Sequence, residues 1–277
     1  MNIVFVTYEK RPEPSTSDAL VARHLKERGH QVRGVAWTDP VEMLMDCDLA
    51  VVRSTWDYPR KLTQFQQWLE EAESKLPIAN SVKLIQWNAD KTYLFDLEKK
   101  GLRIPRTAIL SKATDVMTKL DEWQANEAVV KPSVGASGQG VQKVNRESTL
   151  NLTETPQLLI QEFIPEVQQG ELSLAFFSGE FSHAVIKTPV KGEFRINSAY
   201  GGQVQKIDLP TSVVNQAREV VSSLNETPLY VRVDGIVIDD VFMVFELELI
   251  EPSFYFTCAP ESASHFAEAI LSYSPER

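Results

Sequence analysis

The chain has 277 residues, 43% hydrophobic and 24% charged, with a net charge of −10. That composition is ordinary for a folded protein long enough for two or three packed subdomains. No Lys/Arg block stands out, so no nucleic-acid partner is expected, and no apolar run nears the ~20 residues of a membrane helix. Cys47 and Cys258 stand far apart with no CxxC, which fits unpaired thiols and a cytoplasmic location. The mixed N-terminus MNIVFVTYEK does not read as a signal peptide.

Residues 2–86 alternate strand and helix. Ile3–Thr7, His30–Trp37 and Asp48–Ser54 read as strands. A helix capped by Ser17 runs to Arg28, where Gly29 stops it, and an amphipathic helix covers about Leu62–Lys75. This order predicts a small parallel sheet with flanking helices. Such sheets bind ligands beyond the C-terminal ends of their strands. Arg53, after the third strand, is therefore a candidate for a substrate carboxylate, with Thr55, Trp56 and Asp57 near it. A local Arg53–Asp57 ion pair is the equal alternative.

A second unit begins near Trp87, with a helix capped by Asp90 running to Lys100 and Gly101. Lys91 sits at its start, where the helix dipole disfavours a cation. That favours an anionic ligand modestly; a surface lysine is the plainer reading. The strand Thr107–Leu110, a helix near Asp115–Trp123 and the strand Glu127–Pro132 follow. KPSVGASGQGV (Lys131–Val141) then packs three Gly, an Ala and two Ser into eight residues. Backbone N–H groups in such a loop are free to face an anion. It is neither a Walker A loop nor a dinucleotide fingerprint, and strands flank both sides. It reads as a flap over phosphates beside Lys131, or as a long hairpin loop.

A third unit opens near Gln157–Phe163 and continues through a hairpin, Glu171–Lys187, turning at Ser178-Gly179. Arg195 and Asn197, two apart in an expected strand, point the same way. They form a clamp for a phosphoryl or carboxylate oxygen, with Lys187 adding charge, or else an exposed polar strand. A helix near Ser212–Leu224 precedes two strands, Leu229–Ile238 and Val241–Ile250, and a helix over Ser262–Ser272 closes the chain. The odd positions of the two strands are apolar or Gly and predict one core face. The even face carries Arg232 and Asp234 against Glu246 and Glu248. A three-residue turn at Asp239–Val241, or an equivalent bulge, sets Asp234 opposite Glu246 and Arg232 opposite Glu248. Facing acids destabilise a sheet. A divalent cation, Mg²⁺ for oxygen-only ligands, resolves the repulsion; a solvated edge hairpin neutralised by Arg232 is the alternative. The four histidines (His24, His30, His183, His265) show no ligand spacing.

In this order of parts the chain resembles the ATP-grasp superfamily over nearly its whole length. The carriers are Lys91, Lys131 before the Gly-rich loop, the hinge Ile160–Ile164, Glu171, the FRIN…GG segment, and FELELIEPS with Glu248 where the family usually has Asn. VVRSTWDY, QWNADKTYL, GELSLAFFSGEFSHAVIK and ELELIEPSFYF are similar to the branch that contains the O-ureido-D-serine cyclo-ligase of D-cycloserine biosynthesis. Glutathione synthetases and RimK-like ligases are more distant. The resemblance implies an α+β ATP-grasp fold: a Rossmann-like α/β substrate-side subdomain over 1–86, a central subdomain with the flap over 87–160, and a C-terminal subdomain over 161–277. It implies that Lys91, Lys131 and the flap (Ser137, Gly138, Gln139, Gly140) hold ATP phosphates. Gln161, Glu162, Phe163 and Ile164 would meet adenine, and Glu171 the ribose. Asp234, Glu246 and Glu248 would hold two Mg²⁺, with Mn²⁺ as a substitute. Arg195, with Asn197 and Lys187, would stabilise the phosphoryl in flight. The implied reaction joins a small-molecule carboxylate to an amine or other N-nucleophile through an acyl-phosphate, an intramolecular cyclo-ligation included. A nucleotide-binding protein or kinase without ligase activity is the alternative, and a homodimer is compatible with either.

Overall fold

The structure, a computed structural model, describes residues 1–112, 115–148, 157–190 and 201–274. The first sheet is parallel. Its strands are β1 (Asn2–Thr7), β2 (Gln31–Ala36), β3 (Leu49–Val52) and β4 (Ile78–Ala79), in the order β2-β1-β3-β4. α1 (Thr16–Glu27) is capped by Ser15, whose side chain accepts from the Asp18 N–H, two residues earlier than the expected Ser17. α2 (Leu62–Glu73) and α3 (Val82–Asn88) pack on the opposite side. The strand residues alternate between two cores, as a doubly covered sheet requires. Val4, Val6, Ala50 and Val52 face Phe65, Trp68 and Leu69. Ile3, Phe5, Leu49 and Val51 face α1 and an aromatic cluster from the far end of the chain.

α4 (Tyr93–Lys99) leads to an antiparallel sheet of β5 (Thr107–Leu110), β6 (Glu127–Pro132), β7 (Gln142–Asn145) and β8 (Leu158–Glu162), ordered β5-β8-β6-β7, with α5 (Asp115–Trp123) against it. β8, read from the sequence as opening the third unit, instead lies between β5 and β6. This sheet has its own small core, including Leu120, Val130, Val144 and Ile160.

The third sheet is antiparallel, ordered β11-β10-β9-β12-β13. Its strands are β9 (Glu171–Phe177), β10 (Glu180–Thr188), β11 (Gln203–Ile207), β12 (Tyr230–Ile238) and β13 (Val241–Glu248). α6 (Thr211–Ser222) covers one face, and α7 (Ser262–Ser272) packs against α1. Phe177, Tyr230, Phe254, Phe256 and Phe266 form the aromatic cluster that meets the first sheet.

The acidic hairpin departs from expectation in an instructive way. Its turn has two residues, Asp239 and Asp240, both at positive φ (49° and 62°), as tight hairpin turns require. The ladder runs from Ile238↔Val241 to Gly235↔Val244, then slips at Phe245. Beyond this bulge the pairs are Asp234↔Glu246 and Arg232↔Glu248, as expected. The bulge restores the parity that the shorter turn removed. The continuous odd-numbered core row of β13 is accordingly wrong before the bulge. Phe242 and Val244 are buried there and Val241 is exposed, whereas Leu247 and Leu249 are buried after it. Gly235 sits where the strands close up: a Cβ there would lie 2.1 Å from the Met243 carbonyl oxygen.

Candidate active site

A cavity of about 300 Å³ is lined by residues of all three sheets and their loops. The segment after β3 contributes Trp56 and Tyr58, and the loop Lys131–Val141 forms a further wall. The end of β8 supplies Gln161, Glu162, Phe163 and Ile164. Glu171, Lys187, Arg232, Asp234, Glu246 and Glu248 come from the third sheet.

β13 is an edge strand, and its outward backbone groups are closed by side chains. Asn88 donates to the Leu247 carbonyl at 2.9 Å and accepts from the Leu249 N–H at 2.9 Å. The Tyr93 hydroxyl donates to the Leu247 carbonyl and accepts from its N–H. These four bonds fix the strand between Glu246 and Glu248, so both acids hold one direction.

Each acid faces a cation. Asp234, 2% exposed, accepts four hydrogen bonds: from Ser173 Oγ (2.7 Å), Lys187 Nζ (2.9 Å), Arg232 Nε (2.8 Å) and Arg232 Nη2 (2.7 Å). Burial opposes its ionisation, but Arg232 and Lys187 prevail and hold the carboxyl well below the usual range. Lys187 also pairs with Glu171 at 2.6 Å. Arg232 reaches Glu248 as well. Glu246 lies 3.2 Å from Lys91 Nζ. Burial raises the Glu248 carboxyl to about 7, with Arg232 opposing.

The donor set is oxygen-only and beside lysines, which suits Mg²⁺. The spacing fits only in part. Among the described residues no three acids or imidazoles converge as a ready cation cage. Glu246 and Glu248 keep 33% and 28% of their side chains open, and are the two acids able to take a cation. Asp234 is enclosed, with both oxygens saturated, so the expected three-acid cage is not preformed.

The lysines meet under the flap. Lys91 Nζ donates to the Gly135 carbonyl at 2.6 Å, and the Lys91 N–H to the Ser133 carbonyl at 2.8 Å. Lys91 precedes α4 rather than lying within its first turn. Burial drives the Lys131 ammonium down to about 8, with Glu246 partly restoring it. β6 and β7 flank the loop as an antiparallel pair, as expected. Ser137, Gly138 and Gly140 have positive φ. Ser137, Gly138 and Gln139 line the cavity; Gly140 does not, and a Cβ there would lie 2.8 Å from Pro132 Cγ. Gln139 Oε1 accepts from Arg60 Nη2 at 2.9 Å, tying the loop to the first unit.

Of the expected substrate residues, Trp56 alone lines the cavity. Arg53 is 3% exposed and pairs with Asp18 at 2.9 Å rather than Asp57. It donates to the Pro252 carbonyl at 2.9 Å and lies over the rings of Tyr230, Phe254 and Phe266. Nε and Nη2 are thus committed to the fold, while Nη1 is buried with no hydrogen-bond partner among the described residues. Thr55 is buried, and Asp57 accepts from Trp37 Nε1 at 2.8 Å. Arg195 and Asn197 lie outside the described residues. Sequence reasoning saw Arg232 only as a neutralising charge, and passed over Glu251, which also lines the cavity. The R-x-D spacing on one strand face was a signal for the first.

Similarity to known proteins agrees with this geometry. The family described as prokaryotic glutathione synthetase, ATP-grasp domain, matches residues 93–253, more than half of the chain. The chain belongs to this ATP-grasp family. The family described as D-cycloserine synthetase DcsG, N-terminal domain, matches residues 3–80. The cycloserine biosynthesis protein DcsG of Streptomyces lavendulae is 26% identical over 256 residues, covering 84% of this chain and 86% of that protein. The glutathione synthetase of Prochlorococcus marinus subsp. pastoris is 32% identical over 152 residues, covering 51% of this chain and 47% of its own length. The chain thus spans about half of that relative. The crystal structure of D-cycloserine synthetase DcsG superposes with a TM-score of 0.85 at 22% identity, over 98% of both chains. The D-alanine–D-alanine ligase of Bacillus anthracis with ATP gives 0.67 at 18% identity, over 98% of this chain and 94% of its own. The expected ATP-grasp fold and ligase class are borne out, and nothing in these likenesses favours a kinase or a bare nucleotide binder. Among the described residues no helix is long and apolar enough to cross a membrane.

Proposed function

We propose that the protein is an ATP- and Mg²⁺-dependent ligase that joins a small amino-acid-derived carboxylate to a nitrogen nucleophile through an acyl-phosphate. The observation that carries this reading is one cavity holding Lys91 and Lys131 under a glycine-rich flap, opposite a wall of acids closed by Lys187 and Arg232. Phosphoryl transfer needs positioning and charge neutralisation rather than a reactive side chain. Lys91, Lys131 and flap residues 137–139 hold the phosphates, Gln161–Ile164 the adenine, and Glu171 the ribose. Arg232 and Lys187 offer positive charge where the transferred group becomes most anionic; Arg195 and Asn197 are proposed beside them. Glu246 and Glu248 fit Mg²⁺, which would supply neutralisation of the phosphates. Two ions, with Mn²⁺ as a substitute, are the proposed count. The three units, bounded at 86 and 160, are proposed as substrate-side, flap and transfer subdomains of a cytoplasmic enzyme that acts as a monomer or homodimer.

The likeness to DcsG in both the N-terminal and ATP-grasp parts supports a substrate that carries carboxylate and nitrogen in one molecule and closes into a ring. The test is product analysis. With ATP, Mg²⁺ and a panel of amino acids and their ureido and hydroxylamine derivatives, the protein should release ADP and inorganic phosphate. Release of AMP and pyrophosphate would mean adenylation and would overturn the reading.

A further inference from the structure

Glu162, Glu171, Asp234, Glu246 and Glu248 each face a cation on the cavity wall. Glu251 does not. Its carboxyl receives no hydrogen bond or ion pair from another described residue, yet it lines the same cavity. Burial and the neighbouring Glu248 push this carboxyl up to about 8.

The backbone that carries Glu251 is fixed with unusual completeness. Trp56 Nε1 donates to the Glu251 carbonyl at 3.3 Å. Arg53 donates to the Pro252 carbonyl and Arg232 to the Ser253 carbonyl, each at 2.9 Å. Three successive carbonyls are thus held by side chains from two sheets, while the intervening carboxyl is left open. A fixed backbone that presents a carboxyl bonded by no other described side chain is preorganised for a ligand. Trp56, Tyr58 and Tyr255 line the cavity with it, and their rings favour a cationic or flat N–H-bearing group.

We propose that Glu251 is the acceptor that docks the attacking nitrogen, and that the nucleophile is an amine- or urea-type group with N–H donors rather than a thiol. This rests on the ligase reading and names the nucleophile class for that site.

The experiment measures ADP release from the full chain with ATP, Mg²⁺ and a panel of amino acids and their ureido and hydroxylamine derivatives as carboxylate donors. Ammonium, methylamine, methylurea, hydroxylamine and ethanethiol serve as nucleophile probes. Glu251→Gln and Glu251→Ala are compared with the parent protein, with melting temperature as the folding control. Loss of the hydrogen bond to Glu251 should raise the KM for nitrogen probes about threefold to tenfold, while the KM for ATP moves within about twofold. An unchanged nitrogen KM in both variants overturns the proposal. So does an equal rise in the ATP KM or in the Mg²⁺ requirement, which would make Glu251 part of the phosphate wall. Ethanethiol used as well as methylamine overturns the nucleophile class. If the parent protein releases no ADP with any carboxylate, even with hydroxylamine present, the ligase reading itself falls and this proposal with it.

Discussion

Lys131 Nζ lies 3.0 Å from Gln161 Oε1, a neutral partner for a buried ammonium. Burial lowers this group to about 8, so its charge is lost as pH rises through that value. A polyphosphate binds the charged form. ATP affinity should therefore fall between about pH 7 and 9, and Lys131→Arg, which keeps its charge there, should remove the inflexion. Lys131→Ala should weaken ATP binding about 10–100-fold at pH 7. Calorimetric titration across pH checks both outcomes.

Asp234 is held by four donors, so Asp234→Asn should cost about 3–5 kcal/mol of stability, read by denaturant unfolding. The sign with pH follows from its depressed folded value. Its contribution is present above the unfolded carboxyl value and lost as pH falls from there toward the folded one. The parent protein should lose stability below about pH 4, with a flatter acid limb in the variant.

Gly235→Ala should distort the bulge, because the new Cβ would lie 2.1 Å from the Met243 carbonyl oxygen. The expected loss is about 1–3 kcal/mol or more. Turnover should fall further than stability, because the bulge aims Glu246 and Glu248. Unfolding curves measured beside ADP release separate the two effects.

Hydrogen exchange should slow across residues 134–140 on adding ATP and Mg²⁺, as phosphates recruit the loop's N–H groups. Arg60→Ala removes the hydrogen bond to Gln139 and should speed exchange there in the nucleotide-free protein. Equal exchange in all states would count against a closing flap.

Much of this fold was legible in the sequence. Apolar runs bounded by Gly and polar clusters located β1, β5, β6, β9 and β10, and α7 was read at its observed ends. The two-residue β4 and the polar β11 carry too little pattern to separate from loop. The Asp234↔Glu246 register was legible because acids at i and i+2 must share a face. The same parity allows a bulge in place of an odd turn, but nothing places it at Phe245, which is as apolar as its neighbours. Arg53 was placed in the site from its position after a parallel strand. Its partner Asp18 lies on α1, and no local spacing announces that pair. Lys91 and Glu246, far apart in the chain, were each suspected separately, and only the fold brings them together.

The aromatic cluster between the first and third sheets bears on how the chain is made. Ile3, Phe5, Leu49 and Val51 complete their packing only against Phe254, Phe256 and Phe266. During synthesis the earliest residues therefore wait, with one sheet face covered by α1 alone, until α7 has left the ribosome. The middle sheet, whose core among the described residues runs from Ala108 to Ile160, is free to fold first.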